Sequence, residues 1–379
     1  MPKKVQSLRV TTQAIEGGLI EIWDFTCIVA VFPFSLIKDL HLLTLNALAA
    51  FMDISYRLYL QMIGMYGASW KSFPLNGLFC AVILINNYLL ARHFYPRSLK
   101  STIQLDFILS SQFLLGLPAA LLLVNFWFPW YLRQDEHIKV IIASCSPLLT
   151  AIPKVVSRLG VQTLYGVVHP GTAHVLVDSL YAASAVVFRV MQSELTGFSY
   201  FIALGIAHAA IDLVERITIT MRDHIWEYLY RLVRRQRRPM PKYRSPRSRR
   251  FIADVSIQMM LQETTGLVSV LGFMTVYQVL YTREKPFVDY KIIMEFIKRA
   301  TAGLLIDLFF NTISVLIQTR VMNIAVCRVW KKKWRYHIIV NTLLVALSVI
   351  YYSEHLFGFV KDKYPRVHLP KNCSYPSFL

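Results

Sequence analysis

Apolar residues fill most of this chain in blocks of roughly membrane length, and the polar residues gather in the gaps between them. A hydrocarbon core needs about 20 apolar residues per helical crossing. Blocks approaching that length run over 75–91, 103–132, 173–190, 198–214, 255–281, 300–326 and 338–357, with a shorter one at 140–152 interrupted by Pro147 and followed by Pro153. Residues 25–37 are apolar but short and contain Pro33; 42–65 follows as a helical pattern with Asn46, Asp53, Arg57 and Gln61 on one face. Asp53 and Arg57 are spaced i,i+4 with the acid first, the favourable order for a helical ion pair. Whether 20–66 crosses once, twice or lies at the interface is left open by the pattern. One crossing there gives an all-α, polytopic transmembrane bundle of about nine helices.

Several blocks carry a polar stripe at 3.6-residue spacing. Asp254, Gln258, Gln262, Thr265 and Ser269 share one face, and Asp307, Asn311, Ser314 and Gln318 share another. Lipid cannot hydrogen-bond such groups, so each stripe must meet another stripe, a partner or water. Glu263, beside the first stripe, has Arg299 and Arg320 as candidate partners. A second pattern is a repeated His-x-x-x-Asp: His174 with Asp178, and His208 with Asp212 on the next helix. If these faces converge, two imidazoles and two carboxylates form a candidate zinc or proton-relay site; the plainer alternative is a hydrogen bond within each helix.

Charge then fixes an orientation. The 379 residues hold 41 Lys and Arg against 22 Asp and Glu, a formal net charge of +19. The cations cluster in alternate gaps: Arg92, Arg97 and Lys100; Lys154 and Arg158; the stretch from Arg216 to Arg250; and Arg328, Lys331, Lys332, Lys333 and Arg335. Basic loops are retained in the cytoplasm. These gaps, with Lys3 and Lys4, are therefore expected on the cytoplasmic side, with the N-terminus cytoplasmic and the C-terminus lumenal or extracellular. The sole N-x-S/T sequon, at Asn372, falls in the tail assigned to the far side, where a glycan can be added. Positive-inside bias accounts for the cations without nucleic acid. The expected location is the endoplasmic reticulum, another endomembrane or the plasma membrane.

Residues 231–250 hold ten basic residues, no acid and three prolines, which marks a loop. The chain accordingly divides into 1–230, a transmembrane region with a cytoplasmic helix extension; 231–250, the basic loop; 251–358, a second transmembrane region; and 359–379, the tail. The extension is amphipathic, with Ile217, Met221, Ile225, Trp226, Leu229 and Leu232 carrying the apolar pattern past Arg222. Arg234, Arg235, Arg237 and Arg238, together with Lys331, Lys332 and Lys333 between Trp330 and Trp334, are candidate contacts for anionic headgroups, each contributing about 1 kcal/mol.

Composition adds little to this. The chain is 55% hydrophobic with mean hydropathy +0.44. Its five cysteines form no CxxC pair, and there is no P-loop, GxGxxG, GxSxG or HExxH. The leading expectation is a non-enzymatic membrane subunit or scaffold, without a cofactor, that packs other membrane subunits through its polar faces. The alternatives are a transporter or channel for an ion, solute or lipid, and a metal-dependent intramembrane lipid enzyme using zinc at the His/Asp set.

Overall fold

The computed structural model describes residues 3–62, 73–164, 166–234, 245–281 and 286–363. Among these every regular element is helical: α1 (Lys3–Glu21), α2 (Trp23–Val31), α3 (Phe34–Asp39), α4 (Leu42–Met62), α5 (Phe73–Phe94), α6 (Leu99–Leu122), α7 (Phe128–Leu132), α8 (Glu136–Cys145), α9 (Ala151–Gln162), α10 (Val175–Glu194), α11 (Phe198–Arg234), α12 (Pro246–Tyr281), α13 (Pro286–Arg320) and α14 (Val326–Lys363).

Local chemistry explains the joints. Ser98 caps α6 by accepting a hydrogen bond from the Ser101 N–H at 3.3 Å. Pro118 lies inside α6, and a π-helical turn over Leu123–Trp127 carries that rod into α7. Pro147 tightens Ser146–Thr150 into a 3-10 turn, and α8 and α9 continue through it as one stretch, Glu136–Gln162. The short block at 140–152 is thus the centre of a longer helical rod. Pro33 separates α2 from α3. Asn323, at φ +54°, makes the turn between α13 and α14, a left-handed conformation that asparagine tolerates.

Seven stretches among the described residues are long and apolar enough to cross a membrane: Phe73–Phe94, Leu99–Leu132, Glu136–Gln162, Val175–Glu194, Pro246–Val279, Tyr290–Arg320 and Val326–Ser353. The apolar part of Val175–Glu194 is 94% buried, whereas that of Tyr290–Arg320 is only 22% buried. So α10 is the central post, packed against α6, α9, α12 and α14. Helix α13 lies outside and presents Leu305, Leu308, Phe309 and Leu316 outward. A soluble monomer rarely exposes so much contiguous apolar surface. A multi-pass membrane protein does, because hydrocarbon covers it.

The loops sort into two ends. Arg247, at the start of α12, donates to the Leu164 and Val168 carbonyls at 3.1 and 2.9 Å. Lys333, near the start of α14, donates to the Gly171 carbonyl at 3.3 Å. The connections entering α10, α12 and α14 therefore share one end. At the other end the Thr196 N–H donates to Glu136 at 3.0 Å, and Arg299 donates to the Leu195 and Thr196 carbonyls at 2.8 and 2.9 Å. At the N-terminus, Gly17 of α1 lies against Asp53 and Arg57 of α4, while Asp24 of α2 and Asn46 of α4 both reach Asn86 of α5. Thus α1 and α2 run antiparallel to α4. The expected Asp53–Arg57 ion pair is present at 2.6 Å.

Candidate functional site

Two buried polar centres lie along α10. The first is near the basic end. His174 and Asp178 sit one helical turn apart and are bonded through His174 Nδ1 and Asp178 Oδ2 at 2.6 Å. From α12, Asp254 Oδ1 meets His337 Nε2 of α14 at 3.2 Å. The Arg250 Nε donates to the other oxygen of Asp254 at 2.9 Å. Gln258 reaches His337 Nδ1 at 3.1 Å, and Gln262 donates to the Asp178 carbonyl at 3.2 Å. The rings of His174 and His337 stack 5.0 Å apart. His174, Asp178, Asp254, Gln258, Gln262 and His337 are all fully buried.

The second centre is deeper. Arg189 of α10 donates to both oxygens of Asp307 of α13 at 2.9 Å, lies 3.3 Å from Glu263 of α12, and donates to Gln192 at 2.8 Å. His208 Nε2 of α11 lies 3.0 Å from Glu263 and 3.1 Å from Asp212. Its ring stacks on Phe188 with 3.4 Å between centroids. Arg216 donates to Asn311, and Gln318 donates to Ser256 at 3.2 Å and to the Arg216 carbonyl at 3.5 Å. Ser314 is buried with no hydrogen-bond partner for its hydroxyl.

The polar stripes are therefore answered within the chain, but mainly by helices other than each other. The α12 stripe meets α10 and α14, down to Thr265 on Asn341 at 3.0 Å. The α13 stripe meets α10 and α11, touching α12 only where Gln318 reaches Ser256. The two His-x-x-x-Asp pairs fall in different centres, and each recruits a third helix: His174 joins Asp254 and His337, and His208 with Asp212 joins Glu263. Glu263 pairs with Arg189 and His208 instead of Arg299 or Arg320, because it faces α10 and α11. Arg299 is taken by Glu295 at 2.8 Å and by two carbonyls.

A third group was not foreseen as a site. Lys154 and Arg158, which the charge pattern assigns to a gap, lie within α9 and are buried. Arg158 is clamped on Asp223 of α11 and on the Tyr181 hydroxyl, and Gln162 donates to the same Asp223 at 2.9 Å. Lys154 donates to Ser184 at 2.9 Å. Glu215 pairs with Arg222 at 3.2 Å. Buried cations this close to the lipid boundary persist because each has an acid or hydroxyl beside it.

A cavity of about 90 Å³ opens between the N-terminal helices and α5, α6 and α10. Its wall is mostly apolar, with Trp23, Phe79, Phe113 and Leu180, and Glu21, Asp53 and Arg57 supply a charged pole. Of the candidate headgroup contacts, Lys331 and Lys332 are exposed in the first turns of α14 and Lys333 is partly buried beside Gly171. Arg234 ends α11. Arg235, Arg237, Arg238 and the sequon at Asn372 lie outside the described residues. Met221, Ile225, Trp226, Leu229 and Leu232 are exposed on the far part of α11, where Asp223 is the buried residue between 221 and 230.

Fold and surface together define a multi-pass α-helical membrane protein with a charged, hydrogen-bonded interior. Comparison with family models, with curated proteins and with solved structures yields no match.

Proposed function

We propose that this protein is a non-enzymatic membrane subunit or scaffold, with its basic end in the cytosol and in contact with anionic lipid. The observation that supports this most is the pairing of its intramembrane charges. Asp307 is only 4% exposed, and both its oxygens are taken by Arg189. A transport path needs polar groups that remain open to an ion or solute; a rigid platform needs them satisfied. Other subunits then pack on the outward apolar faces, those of α11 and α13 among them.

Loop parity carries the orientation. With the connections into α10, α12 and α14 at the cytosolic end, α14 leads the tail and Asn372 to the lumenal or extracellular side. A cytoplasmic N-terminus requires an odd number of crossings before α5. The antiparallel pairing of α1 and α2 with α4 favours an even number there, which would put the N-terminus on the far side, against the cytoplasmic placement expected from Lys3 and Lys4.

The test is lipid co-purification. Replacing Arg234, Arg235, Arg237, Arg238, Lys331 and Lys332 with Gln is expected to lower bound anionic lipid at least tenfold, at about 1 kcal/mol per residue at the surface, while the folded fraction is unchanged. Equal anionic lipid in the variant contradicts the headgroup role.

The cavity favours a second reading, that the bundle holds or carries an amphipathic lipid. Its apolar wall suits an acyl chain or sterol, and the Glu21, Asp53 and Arg57 pole suits a polar headgroup.

A further inference from the structure

We infer that His174, His337 and Asp254 bind one divalent transition-metal ion, zinc or iron(II), that staples α10, α12 and α14 together at the basic end. One donor atom from each of these three residues lies within 4.8 Å of the others, and all three side chains are fully buried. His337 Nε2 and Asp254 Oδ1, 3.2 Å apart, already stand near the donor–donor edge of about 3.4 Å that metal–ligand bonds of about 2.0–2.1 Å produce in a tetrahedral site. Two imidazoles and one carboxylate are a donor set that suits zinc or ferrous iron and leaves a position for water.

The surroundings hold each donor as a metal site requires. A ligating histidine uses one ring nitrogen for the ion and gives the other to a carboxylate or amide that fixes its orientation. His174 Nδ1 is held by Asp178 at 2.6 Å; His337 Nδ1 lies 3.1 Å from the Gln258 Nε2, and a turn of that amide would bring its buried, unpartnered oxygen to accept the Nδ1–H of a ligating His337. The oxygen of Asp254 that does not face His337 is held by Arg250. The remaining ring nitrogen of His174, Nε2, is buried and has no hydrogen-bond partner. A buried polar atom left unmatched is destabilising, and coordination removes that cost. The Arg250 side chain, 29% exposed, places the cluster within reach of the aqueous side.

The group around His208 does not offer the same chemistry. Asp212 and Glu263 both converge on the single atom His208 Nε2. Arg189 lies 3.3 Å from Glu263, and Arg216 follows Asp212 by one turn. Two guanidinium groups thus flank the acids there, Arg189 being shared between Glu263 and Asp307, and the group holds a single imidazole. At the first centre the charges are Asp178 and Asp254 against Arg250, a net negative set that a dication complements.

The experiment uses the full chain, purified in detergent through a tag free of histidine. Elemental analysis reads the metal and distinguishes zinc from iron. The dialysed protein is then titrated with Co²⁺, whose visible absorption reports tetrahedral coordination, and thermal unfolding is followed with and without chelator. Expected are one bound ion per chain, an intense cobalt spectrum and a lower unfolding midpoint in chelator. His337→Gln should abolish the cobalt spectrum, Asp178→Asn should weaken affinity about 10–100-fold, and His208→Gln should leave both unchanged. If His337→Gln does not fold, the Asp178→Asn affinity and the chelator shift of the natural protein still decide. Substoichiometric metal with no cobalt spectrum overturns the assignment, as does equal loss in His208→Gln.

Discussion

Asp307 and Arg189 show what a buried charge demands of its neighbours. Each is nearly inaccessible, and each would be intolerable in hydrocarbon without the other. Breaking such a pair costs about 3–5 kcal/mol, because it strands a charge, whereas removing both partners costs much less. Asp307→Asn should therefore lower the unfolding midpoint in detergent sharply, Arg189→Gln should do the same, and the double variant should be more stable than the sum of the two losses implies. A double variant that simply adds the losses would show that the pair is not coupled. Glu263, 3.3 Å from Arg189, retains part of the compensation, so the Asp307 loss should lie at the lower end. At this scale the sequence was legible for one sign of charge only. Asp307 stands out in its block, and so do the polar residues spaced with it. Arg189 and Arg158 do not, since an arginine near the end of an apolar block looks the same as one in a loop. His337 was missed for the same reason: it follows a cluster of lysines and reads as interfacial. The available signal was the need for a partner, since an acid at that depth requires a cation at similar depth on another helix.

Helix α10 carries most of the architecture. It is the shortest of the full-length spans and the most buried, and its Ala182 and Ala185 let neighbouring helices approach closely. Small residues at such contacts are what allow packing where no hydrophobic drive exists between helices. The blocks fixed where helices run, but the ends were misplaced wherever polar residues continue a helix beyond its apolar part. Helix α13 begins at Pro286, ahead of its block at 300, and α14 begins at Val326 and kinks at Lys333 (φ −134°) before entering its block; the 37 residues of α11 follow from the extension its apolar pattern predicts past Arg222. Pro147 interrupts the block and is absorbed by a 3-10 turn within the rod, while Pro153 sits in the first turn of α9, where its missing N–H costs nothing. The cavity beside α10 could not be read from the chain, because it depends on how α1 and α4 fold back onto α5 and α6. Ala183→Phe, on the cavity wall, should displace whatever apolar molecule occupies it. Mass spectrometry of the purified protein should find several-fold less co-purified neutral lipid in the variant; equal amounts would remove the lipid-holding reading.

For the whole molecule, the outward apolar surface and the seven apolar stretches make a membrane protein, and the cations carry the orientation proposed for it. Direction is legible in the sequence because positive-inside bias acts on loops, one at a time. The number of crossings is not: about nine helices were expected, seven stretches among the described residues are long and apolar enough to cross, and α1, α2 and α4, which mix charge with apolar residues, are not among them. Charge pairing inside the bundle and lipid contact at one end are parts of one account, since both require the same alternation of loops between two sides. Single-cysteine variants at Arg97, Arg244 and Lys332, compared with variants at Arg133 and Gly197 in sealed vesicles, test that alternation directly with a membrane-impermeant thiol reagent. The account predicts that the first three react only from the cytosolic side and the last two only from the opposite side. Labelling of Arg244 and Lys332 positions from opposite sides would contradict it.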